Sequence, residues 1–460
     1  MVDRLARLLF FAGIAAALVL GGVYLGWFRL PPVPQLEASV EAARDWRRHW
    51  KSYLGIEPTK FIRTAPTAGS GVTLHVEGAA QPGVTVMSGL WGGKEVGLAL
   101  FSLDGRELHR WVARYSDLAP IIPPLPADLT PANDWDTHAD AMELFANGDA
   151  IFNVGGLGMV RLDRCNRVLW WLDYETHHAI MRDDDGKLWA GGHKRARHST
   201  VDARLPGLVP PYVEDTVVKV SPEDGRIVQE ISLLDAIIRS SWETMLFPEG
   251  DDPAPLRNPD PLHLNHVEPL TEALAPAFPM FAAGDLLISV RVPSTIFVLD
   301  PRTGLIKWAQ RGPWFGQHDP HFLPNGRISV YDNRDLVNHD AEARGVPRRA
   351  SRILHLDPAT GRTETVFEGT LAEPFFTEAI GQHQYQPNGN ILITESWGGR
   401  VFEITPDGRK VWEFVNRIDP GRIALIEWSR RFPGSYADFH KECPPAALVA
   451  ETIRSRAWPK

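Results

Sequence analysis

One short pattern recurs along this chain and constrains the fold more than any other feature. A polar, often histidine-containing start is followed by an Asn-Gly or Asp-Gly turn and an apolar strand. A strand ending in Asp or a similar polar residue comes next, then a second glycine turn and a strand carrying Trp. Asp104-Gly105 with Trp111 belongs to the first copy, and Asn147-Gly148 with Asp163 and Trp170 to the second. Asp185-Gly186 and Asp224-Gly225 mark the third; Gly284, Asp300, Gly304 and Trp308 mark the fourth. Asn325-Gly326, Asp357 and Gly361 belong to the fifth, and Asn388-Gly389, Asp407-Gly408 and Trp412 to the last. Six copies fill roughly 340 residues, a repeat period of supersecondary size. Asn-Gly and Asp-Gly between apolar strands are strong hairpin signals, because both turn positions favour positive φ. Four strands per copy and six copies predict an all-β, six-bladed β-propeller over residues 70–416. Trp111, Trp170, Trp308 and Trp412 share one phase of the repeat, which suits packing between blades.

The N-terminal end has a different texture. Leu8 to Phe28 contains no charged residue and lies between Arg4 and Arg7 on one side and Arg29 on the other. As a helix it would span roughly 31 Å, the thickness of a bilayer core. Residues 1–30 therefore read as an uncleaved N-terminal transmembrane helix. Residues 31–69 read as a linker and a juxtamembrane helix, with Val40, Ala43, Trp46 and Trp50 at helical spacing. Residues 417–460 read as a C-terminal tail that closes the propeller or docks a partner. Long insertions over 193–212, 232–261 and 333–349 are rich in proline or charge and suit functional loops. The net charge of −9 argues against a nucleic-acid partner. Two cysteines, Cys165 and Cys443, are too few for a zinc finger or a disulfide scaffold. They either form one long-range bridge in an oxidising compartment or stay as thiols.

Histidine placement carries the chemistry. His138, His178, His266, His318 and His383 each precede a glycine hairpin or strand at the same repeat phase. That phase is the entrance of the innermost strand, so histidines of different blades would converge on the axis. The plain alternative is a ring of polar residues that plugs the channel.

At these residues the chain resembles a known family. Gln317-His318-Asp319, Phe322-Leu323-Pro324-Asn325-Gly326 and Tyr331-Asp332-Asn333 look like the QHD…LPNG…DN signature of bacterial arylsulfotransferases. Asp260-Pro261-Leu262-His263-Leu264-Asn265 is similar to their D-W-x-H-x-N segment, with Pro261 in place of Trp. Ser351-Arg352, His177-His178 and Gly381-Gln382-His383 resemble further family steps, and the likeness covers roughly residues 130–415. It implies a six-bladed propeller that moves a sulfuryl group from a phenolic sulfate ester to a phenol through a sulfated histidine. By motif position it points to His383 as nucleophile, His178 and His318 as acid/base or orienting groups, and Arg352 as the clamp on the sulfuryl oxygens. His263, Asn265 and Asn333 would bind substrate.

Imidazole is a neutral nucleophile near pH 7, and a guanidinium fork suits the sulfuryl oxygens. No cofactor and no metal is expected, and no GxxxxGK[ST] loop is present to bind a nucleotide donor. The implied partners are small phenols and aryl sulfates, plus the membrane through the N-terminal helix. The implied location is a bacterial inner membrane, with a single-pass anchor and the propeller in the periplasm. Two other readings stand beside this one. One is a non-catalytic membrane-anchored scaffold in an envelope complex. The other is a metalloenzyme with His178, His263 or His266, His318 and His383 as ligands.

Overall fold

The structure, a computed structural model, describes residues 2–27, 33–66, 68–125, 129–194, 197–247, 256, 258–334, 349–439 and 443. Most of the insertion over 333–349, the first linker residues and nearly all of 440–460 lie outside the described residues. The chain divides into two compact units, Met1–Lys60 and Phe61–Lys460. The first unit holds two helices, Val2–Trp27 and Val33–Tyr53. A helix thus forms where the anchor was expected, but among the described residues no helix is long and apolar enough to cross a membrane.

The second unit is built on β-sheets. Six of them have four or five strands, and one small sheet has three. Every sheet from the second to the fifth is four consecutive antiparallel strands, as the repeat predicted: Ala139–Leu144 to Val168–Leu172, Glu175–Arg182 to Ile227–Ser232, Leu264–Pro269 to Leu305–Arg311, and His318–Phe322 to Thr363–Glu368. The physical origin is visible in burial. The two middle strands of the fourth sheet, Leu286–Val290 and Thr295–Asp300, are buried along their whole length, because sheets pack on both faces. Its last strand, Leu305–Arg311, is partly exposed and mixes charge with Ile306 and Trp308. Apolar runs bounded by turns therefore mark the inner strands, and amphipathic ones the rim.

The two ends of the unit are stitched into sheets formed by the opposite end. Ile426–Phe432 pairs with Val84–Trp91, so the first sheet takes its innermost strand from the C-terminal side. Gly71–His75 pairs with Lys410–Val415 and becomes the outermost strand of the sixth sheet. The segment read as a tail thus supplies a strand. The leading strands touch in sequence: Ile426–Phe432 with Ala139–Leu144, then with Glu175–Arg182, Leu264–Pro269, His318–Phe322 and Gln382–Tyr385, which returns to Ile426–Phe432.

Tryptophans of the repeat pin neighbouring sheets. Trp111 Nε1 donates to Gly148 O (2.9 Å), Trp170 to Pro222 O (2.9 Å) and Trp412 to Leu103 O (2.8 Å). Each acceptor lies in a turn of the next sheet, so one indole both fills apolar space and satisfies its N–H. Gly148 itself has φ +85°, and a Cβ there would meet the Phe439 ring at 2.6 Å. Cys165 and Cys443 are joined in a disulfide with a Cα–Cα distance of 5.6 Å across 278 residues. It ties the second sheet to the end of the described chain. The insertion read as a loop over 232–261 contains a helix, Leu233–Arg239, capped by Ser232 Oγ accepting from the Asp235 N–H.

Candidate active site

The leading strands do not run straight. Register breaks fall between Asp140 and Glu143, His177 and Ile180, Leu264 and His266, and His318 and His321. At or beside these breaks Ala141, His178, His263 and Asp319 adopt positive φ, between +47° and +57°. A bulge bends a strand and re-aims the side chain that follows. Here four strands bulge at one level and bring polar side chains together.

The result is two cavities along the leading strands. One, of about 220 Å³, is lined among others by His138, Asp140, His178, Asn265, His318 and Glu427. The other, of about 310 Å³, is lined among others by Glu268, His321, His383, Tyr385 and Arg430. Asp319, Gln382 and Trp428 border both.

In the first cavity the His318 ring stacks 6.3 Å from His178, and His178 lies 5.6 Å edge-on from His263. The tautomer of His318 follows from its neighbours. Asn333 Nδ2 donates to Thr377 O (3.1 Å) and Ile380 O (2.7 Å), so Asn333 Oδ1 is the atom that faces His318 Nδ1 at 2.6 Å. Nδ1 therefore carries the proton, and the Nε2 lone pair is left free. Burial holds His318 well below its ordinary pKa, with His178 adding to the effect. Burial likewise pushes His178 down to about 3. Both rings are neutral at pH 7. His263 Nδ1 sits 2.6 Å from Asp260 Oδ2, an orienting carboxylate. Asn265 Nδ2 donates to Gln317 O (2.7 Å), and its buried Oδ1 has no partner.

Arg291, like His263, lines neither cavity, but it comes close to His318. Its N–H donates to His263 O (3.0 Å), and its charge acts on His318. Its guanidinium lies against Gly316, whose carbonyl is 3.0 Å from His318 Nδ1. Among the described residues Arg291 Nε is buried with no hydrogen-bond partner. Glu427 adds an unusual acid: burial, helped by the neighbouring Asp140, pushes its carboxyl up to about 8.

Two residues expected at the centre lie elsewhere. His383 lines the second cavity, and its Nε2 is bound to Ser329 Oγ (2.8 Å). Its Nδ1 lies 3.2 Å from Asp319, and its N–H donates to the same carboxylate (2.7 Å). Arg352 pairs with Asp332 (2.8 Å) and donates to Pro313 O (2.9 Å), and it lines neither cavity. Sequence reasoning gave no role to Arg291, Asp260, Asp140 and Glu427. The available signals were Asp260, which opens the family-like segment holding His263 and Asn265, and Arg291, which closes the apolar strand of the fourth copy. Nor do the four histidines once weighed as metal ligands converge. Among the described residues, the groups close enough to hold an ion are His177, His193 and Asp215, and His266, Asp319 and His321.

The family sequence profile described as arylsulfotransferase (ASST) matches residues 141–417. The chain belongs to the arylsulfotransferase family. The match contains His178, His263, Arg291 and His318, and stops short of Glu427. No curated protein matches the chain. Solved structures with some likeness include a protein of unknown function from Bacteroides caccae, at 13% identity over 76% of this chain and 98% of that one, TM-score 0.45. A virginiamycin B lyase from Staphylococcus aureus shares 10% identity over 78% and 89%, TM-score 0.37. The Cps50 (Swd1) β-propeller domain of Myceliophteria thermophila shares 9% over 77% and 89%, TM-score 0.37. No functional conclusion rests on these three.

Proposed function

We propose that this arylsulfotransferase-family protein is a closed six-bladed propeller. In the cavity around His318 it would move a sulfuryl group from an aryl sulfate to a phenol, without a nucleotide donor. The observation that carries this reading is a neutral, buried His318 whose Nδ1 is held by Asn333 and whose Nε2 has no partner among the described residues, close to Arg291, whose buried Nε has none among them either. The order of leading-strand contacts, which returns to its start, supports ring closure.

In the first half-reaction His318 Nε2 attacks sulfur. The N–S bond forms as the aryl S–O bond breaks, and the leaving phenolate takes a proton. In the second half, the acceptor phenol gives up its proton, its oxygen attacks sulfur, and the N–S bond breaks. A covalent intermediate of this kind gives ping-pong kinetics. His263, oriented by Asp260, is the proton carrier. His178 is a neutral hydrogen-bond donor, Arg291 clamps the sulfuryl oxygens, and Asn265 Oδ1 accepts from the phenol. Asn333 holds the His318 tautomer. These roles replace His383 as nucleophile and Arg352 as clamp.

The Cys165–Cys443 disulfide supports an oxidising compartment, such as the periplasm. The charge-free run Leu8–Phe28 supports a membrane anchor.

The test is turnover of 4-nitrophenyl sulfate with a panel of phenol acceptors. The expected result is ping-pong kinetics and a sulfate mass trapped on His318. His318→Ala should cost on the order of 10⁴-fold in kcat/KM. A sulfated His383, or wild-type turnover from His318→Ala, sinks the assignment. A folded protein inert across the panel sinks the enzyme reading and favours the scaffold.

A further inference from the structure

Next to His178, whose ring lies 5.0 Å from that of His177, three side chains of the third sheet come together. His177 lies on Glu175–Arg182, His193 on Leu188–His193 and Asp215 on Asp215–Val220. His193 and Asp215 are direct cross-strand partners. The His177 and His193 rings lie 4.2 Å apart, and one donor atom from each of the three residues falls within 4.8 Å of the other two.

An ordinary His–Asp pair does not account for this cluster. His193 Nε2 and the Leu264 N–H both reach Asp215 Oδ1, at 3.1 and 3.2 Å. Asp215 is fully buried, yet among the described residues its Oδ2 has no partner. His177 is 7% exposed, and among the described residues its Nε2 has none either. A carboxylate oxygen and an imidazole nitrogen in one cluster, both buried and neither hydrogen-bonded, are costly without a third group between them. In the cluster around His266, by comparison, His321 already meets Glu268 and Asp319 with its two nitrogens, and the bare nitrogens are those of His266 itself, 3.5 Å from Asp319 and 3.9 Å from Glu268.

We infer that His177 Nε2, His193 Nε2 and Asp215 bind a divalent transition-metal ion of the zinc class. Two imidazoles and one carboxylate are a borderline-soft donor set that suits zinc and leaves a fourth position for water. The Asp260 and Glu175 carboxylates nearby favour a dication. The ion also has a route to the cavity. His177 Nδ1 lies 2.8 Å from His178 Nδ1. With the metal on Nε2, the His177 proton sits on Nδ1 and is donated to His178 Nδ1. That fixes His178 as the Nε2–H tautomer, which is the donor form used above. This last link rests on the proposed function; the metal site does not.

The experiment uses the full chain without a histidine tag, stripped with chelator and titrated with Zn²⁺ or Co²⁺ alone. The expected result is one tightly held equivalent, a Co²⁺ visible spectrum of a low-coordinate site and a rise in Tm on adding Zn²⁺. In His193→Gln, affinity for that equivalent should fall by about 100-fold or more, while Tm in chelator stays near wild type. Asp215→Asn should behave likewise, and covers the case in which one variant fails to fold. No bound equivalent, or one that survives unchanged in both variants, overturns the site. None of these readouts depends on sulfuryl turnover.

Discussion

Two groups of histidines, one in each cavity, look alike in sequence and are alike buried, but differ in whether a carboxylate meets the ring. In the first, His318 has one nitrogen held by Asn333, and among the described residues the other has no partner and no carboxylate touches the ring. In the second, His321 lies between Asp319 (3.0 Å) and Glu268 (3.2 Å), and His383 adjoins the same Asp319. Burial alone would drive both groups to the neutral form. It does so for His318, whereas Asp319 and Glu268 outweigh burial at His321 and raise its pKa well above the ordinary value. Asp319 in turn is held well below the carboxylate range despite its burial, by His321 and His383. An imidazole thus becomes a reagent or a structural cation according to its partners.

The largest test of this contrast compares two arginines. Arg291→Ala should lower kcat/KM by about 10²–10³-fold, since it removes charge facing the transferred group. Arg352→Ala should leave kcat/KM near wild type and cost about 1–3 kcal/mol of stability, because Asp332 Oδ2 loses its guanidinium partner while Oδ1 keeps the N–H groups of Phe315 and Arg334. Steady-state kinetics with urea unfolding of both variants separates the two. The reverse pattern would return the clamp to Arg352.

A smaller effect is expected at His383. His383→Ala removes a buried ring and its bond to Ser329 and should cost about 2–3 kcal/mol in urea unfolding, with kcat little changed. Loss of turnover from a stably folded His383→Ala would erase the distinction between the cavities.

The smallest effect is in pH. His318 stays neutral when folded but takes a proton near pH 6.5 when unfolded, so acid below that value favours unfolding. His321 is the opposite case. It keeps its proton well above pH 6.5 when folded, so its contribution is complete below 6.5 and is lost as pH rises towards its folded value. Unfolding free energy measured against pH should therefore fall on both sides of a maximum, each group adding at most about 1.4 kcal/mol per pH unit. His318→Asn should flatten the acid limb and His321→Gln the alkaline one. Equal effects of both variants on one limb would contradict these assignments.

Much of the fold was written along the chain. Asn-Gly and Asp-Gly turns, buried apolar runs and phased tryptophans are local signals, since each depends on a few consecutive residues. They placed the four-stranded sheets from the second to the fifth and three of the indoles that pin neighbouring sheets, but not the strand Ile426–Phe432 that completes the first sheet. The family signature likewise brought out His178, His263, Asn265, His318 and Asn333. Other features came only from the fold. Strand alternation has a period of two, and one bulge reverses it, so no count of residues says which cavity His318, His321 or His383 will enter. Arg291 meets His318 from another sheet, and Glu427 arrives on the C-terminal strand that joins the first sheet. The sequence by itself determined the repeat and the residue types that carry chemistry, because both follow from short-range geometry and side-chain pKa. Which histidine escapes the carboxylates, which is held by them and which arginine comes near His318 were decided by tertiary structure, because the contacts of His318 with Asn333, His321 with Glu268 and His383 with Asp319 join residues 15, 53 and 64 positions apart.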